Sequence, residues 1–427
     1  MASETPYDWL VDTAHSDPER VCLVWQDGSL TYTDVLERVR ERRSVLSASI
    51  GPDQIVPVAV AIDAESIVEL IATQAAGGVP LPFVGEAPDV ILKQADGAAI
   101  CVATSGTGGR PKIVPLTYEN ITSSVRASRE RLGNDGRDRW LLCLPLSHVG
   151  GLSIVWRCLE SGGAMAVGPF DATGEAIEIL KPTIASMVPT MVHRLLENNP
   201  AAIGSVRSVL VGGAALTPVI MRRASACGVR LVPTYGMTEA GSQIATLVRS
   251  NELHETGLVG RPLAGFIVTI VDSIGAEVAT GSTGRIAVDG PAMFNGYLGQ
   301  RSSPKPFITG DLGRITAGGD LYVEGRYDDV VVTGGENVST GHVADIIGRI
   351  EGVRDVCVVS LEDTEWGSIV AAMVVADERV DSLRSLVESS LGHRERPKRW
   401  IMTDEIPKLE NGKHDVLAVG VAFEEES

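Results

Sequence analysis

The sequence predicts an α/β protein with a large N-terminal domain of helix-covered sheets, a small β subdomain within it, and a small α/β domain at the C-terminus. Apolar runs of strand length alternate with amphipathic helical segments over the first half of the chain, which is typical of a mainly parallel sheet covered by helices. Beyond Leu258, Gly-rich turns separate short apolar segments, as in antiparallel sheets. The last hundred or so residues are enough for a separate compact domain.

The first predicted element is an amphipathic helix between residues 30 and 50, with Thr33 as its N-cap. Further strands are expected at 56–62, 98–103, 140–144, 164–167, 185–188 and 209–211, with helices at 66–74, 117–131, 175–180, 190–196 and 218–226. Residues 79–84 contain Pro80 and Pro82, which restricts this segment to a sheet edge or excludes it from a sheet. The β subdomain is expected to include strands at 267–271 and 285–288, and the C-terminal domain a strand at 330–333, a helix at 342–350 and a strand at 353–360.

Composition excludes several classes of protein. The chain has 427 residues and 44% apolar content, enough for two or three domains. Its net charge of −18 argues against nucleic acid or an anionic membrane surface as a partner. The six cysteines include no C-x-x-C pair, so reduced thiols are favoured over a disulfide framework or a zinc site. The N-terminus has no apolar signal region and no apolar run approaches 18 residues, so a soluble, cytoplasmic protein is expected.

Residues 104–112, with the sequence TSGTGGRPK, are expected to form a loop directly after a predicted strand. Glycines allow several backbone N–H groups to converge on one point, while the hydroxyl groups and Lys112 add donors and positive charge that suit a polyphosphate. The spacing differs from the G-x-x-x-x-G-K-S/T of phosphate-binding-loop NTPases, so a kinase-type NTPase is not favoured. A Gly-rich turn without a ligand remains the alternative for this loop taken alone.

Five further segments complete a pattern: GGAAL at 212–216, YGMTE at 235–239, TGD at 309–311, GRYDD at 325–329 and PKLENGK at 407–413. In this order, the six segments resemble the core motifs of the adenylate-forming enzymes, which include acyl-CoA synthetases, adenylation domains and luciferases. The resemblance extends over residues 104–413. It implies an N-terminal adenylate-forming domain at 1–327 and a mobile lid domain at 328–427, with a hinge near Asp328.

The resemblance implies that ATP activates a carboxylate as an acyl-adenylate and that a thiol, that of CoA, then displaces AMP. Both steps develop negative charge, which fixed donors and cations must stabilise. By resemblance, the ATP-binding residues are Thr104, Ser105, Gly106, Thr107, Lys112 and Thr238 at the phosphates, Gly213, Ala214, Tyr235 and Gly236 around the adenine, and Asp311 and Arg326 at the ribose. Glu239 would carry Mg²⁺, a hard cation that prefers oxygen ligands.

The C-terminal motif implies a catalytic lysine. Lys413 follows Gly412 in a predicted turn, from which a flexible ammonium could reach the reacting carboxylate and the α-phosphate. A solvated surface lysine is the alternative if the segment is considered alone. The resemblance also implies that rotation at Asp328 swings the lid between an adenylating and a thioester-forming pose. In the second pose, the CoA pantetheine arm would pass Gly334, Gly335 and Glu336.

The acyl pocket is expected beside His148, either as a gating residue with a catalytic role or as a core histidine. Residues 152–157 and 188–196 resemble those of the o-succinylbenzoate–CoA ligases of menaquinone biosynthesis more than those of fatty-acid enzymes. That substrate has a second carboxylate, which needs a cationic partner if it is buried. Arg194 is the candidate, with Ser242 and Gln243 as neutral donors. Arg194 could equally extend to the surface from its helix.

The sequence therefore favours an ATP-dependent acid–CoA ligase that acts on o-succinylbenzoate. Within the enzyme class, the alternatives are a ligase for a short-chain, medium-chain or aryl acid, and a free-standing enzyme that loads a carrier protein. From another class, the alternative is a nucleotide-binding regulatory protein without turnover. The expected ligands are a small carboxylic acid, ATP, Mg²⁺ and CoA, and the sequence leaves open whether the chain is a monomer or a homodimer.

Overall fold

The structure, a computed structural model, describes residues 4–88, 94–104, 112–248, 256–327, 330–333, 336–350, 352–363, 366–377, 380–408 and 414–425. The first elements are α1 (Pro6–Ser16), β1 (Val21–Trp25), β2 (Gly28–Thr31), α2 (Tyr32–Leu46), β3 (Ile55–Ala59), α3 (Ala64–Ala75) and β4 (Val79–Phe83). Strand β4 pairs with β3 in a two-stranded parallel sheet. This is the edge position that Pro80 and Pro82 permit.

The N-cap of α2 is Thr31, and the prediction of Thr33 was wrong. The Thr31 hydroxyl accepts a hydrogen bond from the Asp34 N–H at 3.1 Å, and the Asp34 carboxylate accepts one from the Thr31 N–H at 2.7 Å. The Thr33 hydroxyl instead donates to the Pro18 carbonyl. Two reciprocal bonds at Thr31 satisfy donors that a helix starting at Thr33 would leave unpaired.

The middle of the chain contains the alternating elements. They are β5 (Ile100–Thr104), β6 (Lys112–Leu116), α4 (Tyr118–Leu132), β7 (Arg139–Leu142), α5 (Val149–Ser161), β8 (Ala164–Val167), α6 (Glu175–Leu180), β9 (Ile184–Met187), α7 (Pro189–Asn198), α8 (Pro200–Gly204), β10 (Ser208–Val211), α9 (Pro218–Ala226), β11 (Leu231–Met237), a 3₁₀ turn (Thr238–Ala240) and β12 (Ser242–Thr246). Strands β1, β8, β7, β9, β10 and β11 are neighbours in that order and pair in parallel. Thr117 caps α4, as predicted.

The antiparallel strands that were expected beyond Leu258 are β13 (Leu258–Pro262), β14 (Ile267–Val271), β15 (Gly284–Asp289), β16 (Phe307–Ile315) and β17 (Leu321–Arg326). They continue the hydrogen-bonded ladder of the main sheet, because β13 pairs with both β12 and β17. The result is a sheet of 13 strands in the order β14-β15-β16-β17-β13-β12-β11-β10-β9-β7-β8-β1-β2. The β subdomain is therefore hydrogen-bonded to the parallel part.

The C-terminal elements are β18 (Val330–Thr333), β19 (Glu336–Ser339), α10 (Thr340–Gly348), β20 (Val353–Asp363), β21 (Gly367–Ala376), α11 (Val380–Ser390), β22 (Arg399–Met402) and α12 (Val416–Glu425). Strands β20, β21 and β22 form a three-stranded sheet. Alternate residues of β20 pack on opposite faces, with Val358 against the cluster that includes Val343 and Val387, and Cys357 against the cluster that includes Phe423. Helices therefore cover both faces of this sheet. None of the described helices has the length and apolar character that a membrane crossing requires.

Candidate active site

A cavity of about 590 Å³ opens at the carboxyl ends of β7, β9, β10 and β11. Residues that directly follow or end these strands line it, among them Cys143, Val188, Gly212 and Met237. Ligands of open α/β sheets bind in this position, at the carboxyl ends of parallel strands. Glu405 and Lys408 of the C-terminal region close another side of the cavity. The cavity therefore brings the sheet and the C-terminal region to one place.

The predicted acyl-binding residues His148, Arg194, Ser242 and Gln243 all line this cavity. His148 is the N-cap residue of α5, which places its side chain where the helix starts. The turn before α5 is tight, because a Cβ at Gly151 would collide with the carbonyl groups of the preceding residues 144 and 145. Glycine at this position therefore lets the helix begin directly below the cavity.

Arg157 also lines the cavity, and the sequence reasoning did not single it out. It lies on α5 and is 2% exposed. One Nη donates to the Ser242 hydroxyl at 3.0 Å, the guanidinium lies 5.2 Å from the centre of the Trp140 ring, and Nε has no hydrogen-bond partner. Burial lowers the pKa of Arg157 to about 10, and no carboxylate among the described residues offsets this effect. A buried cation without a carboxylate partner is suited to an anionic ligand.

Ser242 holds the Arg157 side chain in place. Its φ angle is 142°, which is uncommon for a residue other than glycine. The Ser242 hydroxyl accepts from Arg157 and donates to the Ser153 hydroxyl at 3.3 Å. Strand β11 passes so close that a Cβ at Gly236 would collide with the Ser242 carbonyl. Gly236 therefore has a packing role beside its predicted place at the nucleotide.

Gln243 differs from its expected role as a donor to the substrate. Its Nε2 donates to the hydroxyl groups of Thr246 at 2.7 Å and Thr234 at 3.2 Å, and its Oε1 accepts from Ser128 at 2.6 Å. Both amide hydrogens are used inside the protein, so none is left for a ligand. Arg194, the predicted carboxylate partner, is 51% exposed and lies 3.9 Å from Glu405. Solvent therefore screens its charge more than that of Arg157.

Three predicted nucleotide residues, one each on β11, β16 and β17, contact one another. The Tyr235 hydroxyl donates to the Asp311 carboxylate at 2.6 Å, and Arg326 donates to its other oxygen at 3.2 Å. Burial and the neighbouring negative charge of Asp311 raise the pKa of Tyr235, which keeps the hydroxyl protonated as a donor. A carboxylate oriented in this way can accept hydrogen bonds from the hydroxyls of a ribose.

Lys112 and Glu239 are linked through Tyr297, another residue that the sequence reasoning missed. The Lys112 ammonium lies 5.0 Å from the centre of the Tyr297 ring, and the Tyr297 hydroxyl donates to Glu239 Oε1 at 2.7 Å. Thr104 pairs with Lys112 at the end of the hairpin formed by β5 and β6. No group of three or more His, Cys, Asp or Glu side chains in the described part of the chain is arranged to hold a metal ion by itself. One carboxylate fits Mg²⁺, which binds through one or two carboxylates and the phosphates of its nucleotide.

Other predicted residues have simpler positions. Gly213, with a φ of 82°, and Ala214 lie in the exposed loop after β10, and Thr238 opens the 3₁₀ turn and lines the cavity. Glu336 is the first residue of β19. The remaining predicted residues lie outside the described residues: Ser105, Gly106, Thr107, Asp328, Gly334, Gly335 and Lys413.

Two family profiles match the chain. The profile described as AMP-binding enzyme covers residues 84–298, and the profile described as AMP-binding enzyme C-terminal domain covers residues 342–413. The chain is 32% identical over 330 residues to the 2-succinylbenzoate–CoA ligase of Enterococcus faecalis, covering 74% of this chain and 68% of the relative. It is 33% identical over 366 residues to the ligase of the same name from Listeria monocytogenes, covering 82% and 76%.

Solved structures with the same fold carry several ligands. The o-succinylbenzoate CoA synthetase of Bacillus subtilis in complex with its acyl-adenylate intermediate superposes with a TM-score of 0.84 at 24% identity, covering 96% of this chain and 97% of the other. ATP-bound MatB from Rhodopseudomonas palustris superposes with a TM-score of 0.88 at 23% identity, covering 98% and 99%. The likeness extends over both the sheet and the C-terminal region.

Proposed function

The chain belongs to the AMP-binding enzyme family, and from this premise we propose that it is an AMP-forming acid–CoA ligase that converts 2-succinylbenzoate, also called o-succinylbenzoate, into its CoA thioester. Its substrates are the acid, ATP and CoA, and Mg²⁺ is its metal ion. Because ATP and CoA are cytoplasmic metabolites, the reaction takes place in the cytoplasm.

The reaction has two steps. A carboxylate oxygen of the acid attacks the α-phosphorus of ATP, the bond to the bridging oxygen breaks, and pyrophosphate leaves. The thiol sulfur of CoA then attacks the carbonyl carbon of the acyl-adenylate, and AMP leaves with the carboxylate oxygen. Glu239 would hold Mg²⁺, whose charge would neutralise that of the phosphates. Lys112 and Thr238 contact the phosphates, Asp311 and Arg326 hold the ribose, and Lys413 from the C-terminal region stabilises the charge that develops on the α-phosphate.

The observation that carries the choice of acid is the buried guanidinium of Arg157. After one carboxylate of 2-succinylbenzoate is activated, the second remains an anion that a closed pocket must satisfy. Arg157 lines the cavity that Thr238 also lines, and its charge has no carboxylate partner among the described residues. A monocarboxylic aliphatic acid would leave this cation unpaired in an apolar environment, which is unfavourable. We therefore assign to Arg157 the contact that the sequence suggested for Arg194.

A comparison of acids tests this function. Purified protein is incubated with ATP, Mg²⁺, CoA and one acid at a time: 2-succinylbenzoate, benzoate, butanoate, octanoate or malonate. The expected result is rapid formation of one CoA thioester, that of 2-succinylbenzoate. A higher kcat/KM for any of the other acids would contradict the substrate. AMP release that does not consume CoA would point to a carrier protein as acceptor, and absence of turnover with every acid would favour a nucleotide-binding regulatory protein.

The domain division is part of the same proposal. We place the N-terminal adenylate-forming domain at residues 1–327 and the lid at 328–427, with the hinge at Asp328. Two matches support a boundary between residues 298 and 342, where the first family profile ends and the second begins. In the thioester-forming pose, Gly334, Gly335 and Glu336 line the path of the pantetheine arm. When the lid changes its pose, a different set of its residues faces the site, so that one site can perform both steps.

A further inference from the structure

Ser186 contributes a hydroxyl group to the wall of the cavity. It is the third residue of β9, it is buried, and it lines the cavity. Its Oγ accepts a hydrogen bond from the indole N–H of Trp140 at 3.0 Å. A hydroxyl group has one hydrogen to donate and two lone pairs that accept. Trp140 occupies a lone pair, and the hydroxyl hydrogen of Ser186 has no acceptor within the part of the chain that the structure describes.

Two other serines of the cavity wall use their hydroxyl hydrogens inside the protein. Ser153 donates to the carbonyl of Gly150 at 2.9 Å, and Ser242 donates to the hydroxyl of Ser153 at 3.3 Å. Neither serine has a hydroxyl hydrogen left for a ligand. Ser186 differs from both, and a buried polar hydrogen without an acceptor is unfavourable. A ligand in the cavity with an acceptor at this point would remove that cost.

The hydroxyl of Ser186 faces the same layer of the protein as Arg157. Alternate residues of a strand point to opposite faces, and in β9 Ile184 packs in the apolar cluster that contains Trp140, whereas Met187 packs in the cluster on the other face. Ser186 therefore points with Ile184 towards α5. The guanidinium of Arg157, on that helix, lies 5.2 Å from the centre of the Trp140 ring. One indole group thus contacts the cation with its ring and the hydroxyl with its N–H.

We propose that Ser186 is a substrate-binding residue that determines specificity for a dicarboxylic acid, because its hydroxyl donates to the carboxylate that Arg157 binds. This inference rests on the proposed function, in which that carboxylate is not activated and stays an anion. A carboxylate has two oxygens, so it can accept from both groups at once. Hydrogen bonds to a charged acceptor are stronger than those between neutral groups. Ser186 therefore favours a diacid over an acid of similar size with one carboxylate.

The test compares Ser186→Ala with Ser208→Ala. Ser208 is a matched control, because it is a buried serine at the first position of the neighbouring strand β10, away from the carboxyl end at which the cavity lies. The value of kcat/KM is measured for 2-succinylbenzoate and for its analogue that keeps only the reactive carboxylate. Both acids are measured on the same preparation, so their ratio does not depend on the folded fraction.

We expect Ser186→Ala to lower kcat/KM for 2-succinylbenzoate by about tenfold or more, the equivalent of one hydrogen bond to a charged group, and to lower that for the analogue by less than about threefold. Ser208→Ala should leave the ratio of the two values unchanged. An unchanged ratio in Ser186→Ala would overturn the proposal.

A second variant separates hydrogen bonding from packing. Ser186→Cys has a similar shape but only a weak donor, so it should lose the preference for the diacid as Ser186→Ala does. A preference retained in Ser186→Cys would contradict the role as a donor. Arg157→Met is also combined with Ser186→Ala. Two groups that bind one carboxylate should lose less together than the product of their separate losses, and a loss equal to that product would contradict a shared carboxylate.

The wild-type protein distinguishes a failure of this inference from a failure of the proposed substrate. If another dicarboxylic acid, such as malonate, is turned over faster than 2-succinylbenzoate, the proposed substrate is wrong. The same comparison with that acid and its monocarboxylic counterpart then decides on Ser186. If no acid is turned over, Kd values from titration calorimetry replace kcat/KM. A wild-type protein without any preference for dicarboxylic acids would overturn the roles of both Ser186 and Arg157.

Discussion

Replacing Arg157 by methionine separates its role as a ligand-binding cation from a structural role. Methionine is unbranched and of similar length, so it fills much of the same space without a charge. Arg157 is buried, holds one hydrogen bond to Ser242 and leaves Nε without a partner. A side chain kept for stability alone would not be expected to bury an unsatisfied charge.

The magnitude follows from the pKa of Arg157. Burial lowers it from 12.5 to about 10, which corresponds to about 3 kcal/mol against the charged form in the folded protein. Because the folded-state pKa is the lower one, this destabilisation applies at every pH below about 10 and therefore at neutral pH. A bound carboxylate would offset it. Without the cation, kcat/KM for 2-succinylbenzoate should fall on the order of a hundredfold. In the absence of ligand, the free energy of unfolding of the variant should equal or exceed that of the wild type.

The assay uses 2-succinylbenzoate and two monocarboxylic analogues, each of which lacks one of its two carboxylates. The analogue that keeps the reactive carboxylate should be turned over by wild-type protein and by Arg157→Met at rates within about threefold of each other. Arg131→Met is the control, because Arg131 donates to the carbonyl groups of Thr246, Arg261 and Pro262. It should lower the free energy of unfolding in urea without altering the choice of acid. The reasoning would be refuted if Arg157→Met lowered kcat/KM equally for 2-succinylbenzoate and for the analogue that keeps the reactive carboxylate, and also lowered the free energy of unfolding.

Four other outcomes are expected. Lys413→Ala should slow adenylation on the order of a hundredfold and spare thioester formation from supplied acyl-adenylate, measured as two separate half-reactions. Tyr297→Phe removes the hydroxyl that orients Glu239, so the Mg²⁺ concentration for half-maximal exchange should rise about fivefold, the equivalent of one hydrogen bond. Arg194→Ala should weaken 2-succinylbenzoate less than about fivefold, because its exposed charge is screened, and a larger loss than in Arg157→Met would reverse the assignment. Asp355, with a pKa lowered from 3.8 to about 2 because the hydrogen bonds and charges of His414 and Lys408 outweigh its burial, should contribute about 2 kcal/mol above pH 4 that is lost as the pH falls towards 2, so urea unfolding of wild type and Asp355→Asn should converge over that range.

Local signals in the sequence predicted most of the elements. The hydroxyl of Thr117 marks the start of α4, and α6 and α9 have the predicted bounds because turn and cap residues border them. Strand β6 was not predicted, because it is short and contains Pro115, and because its first residue, Lys112, was assigned to the preceding loop. The start of α2 was misjudged because the spacing of Thr31 and Asp34 was overlooked: a carboxylate three residues after the cap makes the reciprocal bond, and Thr33 has Leu36 at that position.

Several contacts in the candidate site join residues that are distant in the sequence, and these contacts could not be predicted from local patterns. Motif order indicated Tyr235, Asp311 and Arg326, and the structure brings the three together although they are distant in sequence. Arg157 stood in an apolar helix, where a single arginine is compatible with a helix edge as well as a pocket, and only the packing of α5 reveals its burial. Tyr297 follows a glycine in a loop far from Glu239, so nothing local links them. The direction in which the Gln243 amide points depends on hydroxyls of other strands, which no local pattern encodes.

The central claim is that the acid is activated as its anhydride with AMP, and transfer of an oxygen atom tests it most directly. Purified protein is given 2-succinylbenzoate with ¹⁸O in both carboxylates, together with ATP, Mg²⁺ and CoA, and the nucleotide product is analysed by mass spectrometry. The attacking carboxylate oxygen stays on phosphorus when the thiol displaces AMP, so each AMP formed should carry one ¹⁸O atom. AMP without the label, or ADP as the product, would contradict the mechanism.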